Sequence, residues 1–318
     1  MKRLLLAVSI GALLLGGFLW QSREGAVAQS RTPAGTGHQG DAFRFNKVAD
    51  GVYHAVGTGA LTVIGNGAVI VNDDDVVIVD DHVSPAAAWV LLEEVKKLTP
   101  KPVRYVINTH YHADHAWGNC FFPGATVVAH ARCRDLLVER GLPSLEAAQK
   151  QNPALRQVKI VLPQMTFTEG EVTLRVGKKN LIISPAPGHS RDGLAVLVEE
   201  DRILFAGDSF MPLPYVVDGD IDEIIASIKH IGRMGLENIV QGHGDIILRG
   251  EIDAAVKENL NYLTAIKRAV KAASRRKNAV ELLDEITIEE CGKSRVYLGG
   301  LAQTLHQRNL RALLQQMS

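Results

Sequence analysis

The chain has 318 residues, 46% of them hydrophobic, which is enough to bury the core of one large domain or two ordinary ones. This composition excludes a disordered or fibrous protein. Lys and Arg together number 35, as do Asp and Glu, so no long-range field attracts nucleic acid or an acidic surface. We therefore expect no nucleic-acid partner.

Residues 1–28 have the features of a signal peptide. Lys2 and Arg3 precede an apolar run over residues 4–20, and Ala26-Val27-Ala28 is a small-x-small cleavage pattern. We expect cleavage after Ala28, a periplasmic or secreted location, and no stable membrane insertion afterwards. An uncleaved anchor is the alternative, because the apolar run is at the short limit for spanning a bilayer. Residues 29–42 are polar and glycine-rich, which is typical of a flexible leader.

From Phe43 onward, short apolar runs alternate with turn residues, a pattern typical of β-strands. Helical spacing follows Ser84-Pro85 and ends before Pro100. Residues 142–161 are expected to form an irregular, partly helical insertion that could cover a site. In this half, strands are predicted at 52–56, 61–64, 68–71, 76–79, 102–108 and 126–129, and helices at 86–98 and 132–140.

The second half repeats this order, with strands predicted at 181–184, 195–198, 203–206 and 238–240 and a helix at 221–234. Two halves of strands with helices between them favour two sheets packed face to face and covered by helices. We expect residues 43–250 to form this domain. Residues 251–318 are expected to form a helical extension, since apolar residues recur at i, i+3 and i+4 over 252–273 and 301–317.

Three cysteines, Cys120, Cys133 and Cys291, follow the predicted cleavage site. An oxidising compartment would permit one disulfide, but the odd number leaves at least one thiol unpaired. None belongs to a C-x-x-C pair, which argues against cysteine-based zinc or redox chemistry. We interpret each as a small buried apolar side chain and leave the pairing open.

The strongest chemical signal is the segment from His110 to His115, which reads HYHADH. Residues two apart in an extended segment point to the same side, so His110 and His112 can bind one ion together. Asp114 and His115 follow at a turn into a helix and face elsewhere, which would suit a second ion. A ligand set of imidazole and carboxylate groups without thiolate suits zinc best and suits iron or manganese less well.

Three further candidates each follow a short apolar run: His189 after LIISPAPG, Asp208 after ILFAG and His243 after IVQG. The ends of strands on a common sheet edge bring distant residues together. Four separate strand ends could therefore assemble one metal site.

These motifs, HxHxDH (110–115), PGHS (187–190), AGD (206–208) and GHG (242–244), resemble the ordered metal motifs of the metallo-β-lactamase superfamily over roughly residues 43–248. The resemblance implies an α+β fold, a four-layer αββα sandwich. It also implies two zinc ions per chain, with Asp208 bridging both. The first zinc would be held by His110, His112 and His189, and the second by Asp114, His115 and His243. Asp80, in VVIVDD, matches a strand-end Asp that would orient the site.

We expect a dinuclear zinc hydrolase that uses a metal-bound hydroxide on a small ester, lactone, thioester or amide substrate. Asp114 is the expected catalytic residue, which would orient the hydroxide and pass a proton to the leaving group. A β-lactamase is an alternative, although many lactamases carry Cys where Asp208 stands. A mononuclear iron-dependent sulfur dioxygenase is a further alternative, and a non-enzymatic metal-binding role remains. The substrate and the oligomeric state stay open.

Cleavage of the signal peptide is directly measurable. We expect exported protein to have the intact mass of a chain that begins at Gln29, because the small residues Ala26 and Ala28 suit the cleavage site. Mass spectrometry of protein recovered from outside the cytoplasm checks this. A full-length mass in the membrane fraction would show the uncleaved anchor instead.

Overall fold

The computed structural model describes residues 38–39, 43–57, 65–82 and 85–317. The expected signal peptide, most of the flexible leader and the strand predicted at 61–64 lie outside these residues. The chain divides into two compact units. The first comprises Met1–Thr168 with Val176–Lys178, and the second comprises Glu169–Arg175 with Lys179–Ser318.

The first unit contains a sheet whose eight described strands follow one another in chain order. Strands β1 to β5 pair antiparallel, and β5 to β8 pair parallel. Parallel neighbours need a crossover, which a helix supplies between β5 and β6. The strands are β1 (His38–Gln39), β2 (Phe43–Ala49), β3 (Val52–Gly57), β4 (Gly67–Val71), β5 (Val76–Val79), β6 (Val103–Ile107), β7 (Thr126–His130) and β8 (Met165–Phe167).

The crossover helix α1 (Pro85–Leu98) has proline at its first position, where no amide hydrogen is needed. Its inward face is apolar: Leu91 and Val95 are buried in a cluster with Phe43 and Ile78 of the sheet. Lys96 and Lys97 lie in the last turn, where cations stabilise the helix dipole. The predicted helix at 86–98 is confirmed.

The segment predicted as an irregular insertion is more ordered than expected. After α2 (Ala113–Ala116) and β7, helix α3 (Ala131–Leu136) continues through a π-helical turn (Leu137–Gly141) into α4 (Leu142–Gln151), which a 3-10 turn (Pro153–Gln157) follows. Its apolar residues belong to a buried cluster, which includes Trp117, Leu137, Leu145, Leu155 and Val158. This segment is therefore part of the core of the first unit.

The second unit contains a sheet with the order β14-β13-β12-β11-β10-β9. Helix α5 (Ile221–Ile231) makes the crossover between the parallel strands β12 and β13, and its N-terminus is capped by Asp220, which accepts hydrogen bonds from the amides of Asp222 and Glu223. The strands are β9 (Val172–Val176), β10 (Lys179–Pro185), β11 (Leu194–Val198), β12 (Ile203–Phe205), β13 (Asn238–Val240) and β14 (Ile247–Leu248).

The C-terminal extension forms α6 (Ile252–Ala273), α7 (Ala279–Glu285) and α8 (Ala302–Met317). The helices predicted at 252–273 and 301–317 are confirmed, whereas the short α7 was not predicted. Within the described part of the chain, no helix has the length and apolar character needed to cross a membrane. All three cysteines are free thiols. Cys133 and Cys291 are buried as expected from the sequence, whereas Cys120 is only half-buried, so the interpretation is wrong for that residue.

The apolar face of α1 yields a stability prediction. We expect Leu91→Ala to lower the free energy of unfolding by about 2–5 kcal/mol, because it leaves a cavity at a side chain that is 0% exposed. Trp89→Ala on the same helix is the control, because Trp89 is 58% exposed and packs little. Urea unfolding of the three proteins checks this, and equal losses for both variants would contradict the packing described.

Candidate metal centre

His110 lies three residues beyond β6, where the chain leaves the sheet. His112 has extended backbone angles (φ −60°, ψ 153°) and forms the N-cap of α2, so the two histidines point to the same side. Nε2 of His110 lies 3.0 Å from Nδ1 of His112, and their ring centroids are 4.6 Å apart. The arrangement predicted from their spacing is confirmed.

Asp80 fixes the orientation of His115. The backbone of Asp80 is left-handed (φ 59°) directly after β5, and its carboxylate is buried. Oδ1 accepts a hydrogen bond from the amide of Thr109 at 2.8 Å. Oδ2 accepts from the Thr109 hydroxyl and from Nδ1 of His115, both at 2.8 Å. Because a carboxylate only accepts, Nδ1 of His115 carries the hydrogen and Nε2 keeps its lone pair. These hydrogen bonds agree with the orienting role predicted for Asp80, which stays a prediction.

The same carboxylate sets the tautomer of His110 through Thr109. The Thr109 hydroxyl gives its hydrogen to Asp80, so its oxygen accepts from Nδ1 of His110, 3.1 Å away. In the neutral ring, Nε2 of His110 therefore carries no hydrogen and presents its lone pair. In α2, Nε2 of His115 lies 3.6 Å from Oδ2 of Asp114.

Asp81, the neighbour of Asp80 in the chain, is fully buried. Burial, and then the charge of Asp80, raise the pKa of Asp81 well above its usual range, although one oxygen accepts a hydrogen bond from the Gly118 amide at 2.9 Å. Burial and the neighbouring charge of Asp80 thus both favour the protonated form of Asp81.

The second unit gathers His189, Asp208 and His243 beyond the ends of β10, β12 and β13. Asp208 is only 5% exposed. Its two carboxylate oxygens serve different histidines: Oδ2 is 3.3 Å from Nε2 of His189, and Oδ1 is 3.3 Å from Nε2 of His243. Nδ1 of His189 donates to the carbonyl oxygen of Tyr215 at 2.8 Å, so in the neutral ring Nε2 of His189 faces Asp208 with its lone pair.

These contacts test whether the side chains suit a metal ion. A nitrogen lone pair 3.3 Å from a buried carboxylate oxygen is repulsive unless a cation lies near both. His115 with Asp114 presents the same combination at 3.6 Å. Imidazole nitrogens with carboxylates form the ligand chemistry of zinc and related divalent metals. The donor set therefore fits a metal centre.

Among the described residues, the His and Asp side chains whose grouping could hold a metal ion are the seven residues singled out in the sequence. They are His110, His112, Asp114, His115, His189, Asp208 and His243. Sequence reasoning missed two supporting groups, the Thr109 hydroxyl and the Tyr215 carbonyl. Thr109 adjoins the motif and could have been proposed, whereas a backbone carbonyl carries no sequence signal.

The surroundings of Gly242 explain why a glycine precedes His243 in the GHG motif. A Cβ atom at this position would lie 2.0 Å from Oδ1 of Asp208 and 2.6 Å from the carbonyl carbon of Gly207. Any side chain larger than hydrogen would therefore displace the carboxylate.

Two other histidines near the motifs have structural roles. His130 caps α3, since Nδ1 accepts from the amide of Arg132 at 3.0 Å, and its Nε2 donates to the carbonyl oxygen of Thr168 at 3.0 Å. His82 is buried, with its ring centroid 4.8 Å from that of Phe43.

The chain is similar to several known proteins. A family model described as "Metallo-beta-lactamase superfamily" matches residues 61–250. An atrochrysone carboxyl ACP thioesterase from Aspergillus fumigatus is 27% identical over 196 residues, which cover 57% of this chain and 55% of that protein. Thioesterase pkgB from Emericella nidulans is 30% identical over 146 residues, which cover 46% of this chain and 36% of that protein.

A solved structure, a metallo-beta-lactamase from Pontibacter korlensis, matches with a TM-score of 0.55 and 19% identity, covering 68% of this chain and 97% of that one. At this identity the likeness concerns the fold, and it confirms the predicted fold class. The predicted helical C-terminal extension is seen in α6, α7 and α8. The chain spans roughly half the length of the first curated relatives that it matches, between 47% and 55%.

The carboxylate of Asp80 gives a testable prediction. We expect Asp80→Asn to weaken zinc binding by about 10- to 100-fold, because an amide group cannot accept all the hydrogen bonds that Thr109 and His115 donate. Calorimetric titration of metal-free protein with zinc checks this. Asp50→Asn makes the same change at an exposed pair with Lys47 and should leave the affinity unchanged. An unaltered affinity in Asp80→Asn would contradict the orienting role.

Proposed function

Because the chain belongs to the metallo-β-lactamase superfamily, we propose that it is a dinuclear zinc hydrolase that cleaves acyl compounds of the thioester and ester type. In this proposal two ions are held by seven side chains, and Asp208 serves both. The first ion would be held by His110, His112 and His189, and the second by Asp114, His115 and His243.

The observation that carries the proposal is the pairing of Asp208. One buried carboxylate presents each of its oxygens to Nε2 of a different histidine, both at 3.3 Å. A carboxylate that binds one ion requires only one of its oxygens to lie near another ligand, whereas both oxygens of Asp208 lie near an imidazole. The arrangement suits a ligand shared by two cations, whose charge also offsets the cost of burying the carboxylate.

Bound divalent cations supply Lewis acidity, which lowers the pKa of a water molecule and polarises a carbonyl oxygen. The side chains then have separate tasks. Asp80 and Thr109 hold the hydrogens of His115 and His110 on Nδ1, which keeps both Nε2 atoms available as ligands. Asp114 is the proposed catalytic residue. Its carboxylate is 17% exposed, so it can orient an attacking water molecule and carry a proton to the leaving group.

The substrate class is proposed from the relatives and from the chemistry of the site. Two relatives that match this chain are named as thioesterases, and a thiolate leaving group needs little help from a general acid. The metallo-beta-lactamase of known structure supports the fold alone. We also propose a small-molecule substrate that is met outside the cytoplasm, which rests on the signal peptide expected from residues 1–28.

Turnover by zinc-loaded full-length protein tests the proposal. We expect hydrolysis of acyl thioesters and aryl esters at a higher kcat/KM than of β-lactams, lactones or phosphoesters. Asp114→Asn should lower kcat by about 10²- to 10⁴-fold, because the carboxylate that orients the attacking water molecule and takes its proton is lost. Elemental analysis should find about two zinc ions per chain, as a dinuclear site requires.

Asp284→Asn provides the control, since it makes the same change at an exposed pair with Arg311. Full activity in Asp114→Asn would overturn the assignment of the catalytic residue. A content of one iron per chain together with oxygen consumption would identify the protein as an iron-dependent dioxygenase instead. A preference for β-lactams would identify it as a lactamase.

A further inference from the structure

The C-terminal extension buries an unusual set of polar side chains between α6 and α8. These are Asn259, Tyr262, His306 and Asn309, each at most 1% exposed. The family match ends at residue 250, so all four lie beyond it. Buried polar groups destabilise a fold unless they are hydrogen bonded, so the partners of these side chains indicate what the extension does.

The hydrogen-bond directions in this set are determined. Nε2 of His306 donates to the carbonyl oxygen of Ile286 at 3.1 Å, and burial lowers the pKa of His306, which favours the neutral ring. Nδ1 of His306 therefore accepts from the Tyr262 hydroxyl at 3.1 Å. The Tyr262 oxygen in turn accepts from the Asn309 side-chain amide at 3.0 Å. This chain of bonds fixes which atom of Asn309 is nitrogen and which is oxygen.

Asn309 and Asn259 bind the segment that follows Asp208. The Asn309 amide nitrogen also donates to the carbonyl oxygen of Pro214 at 2.8 Å. Its side-chain oxygen accepts from the amide of Val216 at 2.9 Å. The Asn259 amide donates to the carbonyl oxygen of Met211 at 3.1 Å. The extension thus satisfies three backbone groups of residues 211–216, which lie outside helices and strands.

One of these bonds leads directly to a proposed metal ligand. The amide of Val216 and the carbonyl of Tyr215 belong to the same planar peptide group. Asn309 holds that group by its N–H, and His189 donates from Nδ1 to its oxygen at 2.8 Å. Hydrogen bonds in such a chain polarise and strengthen one another. The position of Asn309 therefore sets where the Tyr215 oxygen lies, and with it the direction of Nε2 of His189.

We propose that Asn309 is a positioning residue for His189, acting through the Tyr215–Val216 peptide group, so that the helical extension supports the metal centre. This inference rests on the proposed function, in which His189 binds metal. It assigns to residues beyond the family match a role in metal affinity as well as in folding.

The test compares two variants of the same buried network in full-length protein. Asn309→Ala removes the bonds to the Val216 amide and the Pro214 carbonyl. Tyr262→Phe removes a neighbouring buried hydroxyl and leaves both of those bonds in place. Each metal-free protein is titrated with zinc, the cobalt-loaded proteins are compared by absorption spectroscopy, and thermal unfolding is measured for all.

We expect Asn309→Ala to weaken the binding of one of the two zinc ions by about 10- to 100-fold and to change the cobalt spectrum. Tyr262→Phe should lower the unfolding temperature while keeping the wild-type zinc affinities and spectrum. If Asn309→Ala does not fold, Asn309→Ser replaces it, because the serine side chain is polar and shorter than that of asparagine and still fits beside Tyr262.

Wild-type zinc affinities in the Asn309 variant, with only a lower unfolding temperature, would overturn this inference and leave the proposed function standing. Failure of the wild-type chain itself to bind zinc would overturn the proposed function and this inference together. The wild-type titration therefore separates the two.

Discussion

The metal-binding chemistry of the first unit depends on one buried carboxylate. Asp80 accepts hydrogen bonds from the amide and hydroxyl of Thr109 and from Nδ1 of His115. Since the Thr109 hydroxyl donates its hydrogen to Asp80, its oxygen can only accept a hydrogen bond from Nδ1 of His110. A single side chain thus decides which nitrogen of two imidazoles carries the proton, and both keep the lone pair that a metal ion needs.

The second unit reaches the same result with backbone. There the carbonyl of Tyr215 holds the hydrogen of His189 on Nδ1, and no carboxylate is needed. A peptide group is less basic than a carboxylate, but its position is fixed by its neighbours in the chain. Contacts around residues 211–216 hold the Tyr215 carbonyl, which orients the His189 ring. In the same way, β5 holds Asp80, which orients the His115 ring.

Much of this was predictable from the sequence, because the ligands are residue types with distinctive chemistry that directly follow apolar strands. The HYHADH segment and the strands β4, β5 and β13 are examples. Their partners were harder to predict. Every residue has a backbone carbonyl, so the sequence does not mark the carbonyl of Tyr215 as special. Asn309 lies 93 residues from Val216, so their spacing does not reveal the contact. Helix α7 has seven residues, too few to display a helical period.

The three cysteines bear on how this protein can be made. All are free thiols, and burial raises the pKa of Cys120 and of Cys291, which keeps them in the less reactive protonated form. No thiolate is among the proposed ligands, and no covalent cross-link holds either unit together. Reducing agents have no disulfide to break among the described residues, so we expect both units to stay folded in a reducing buffer.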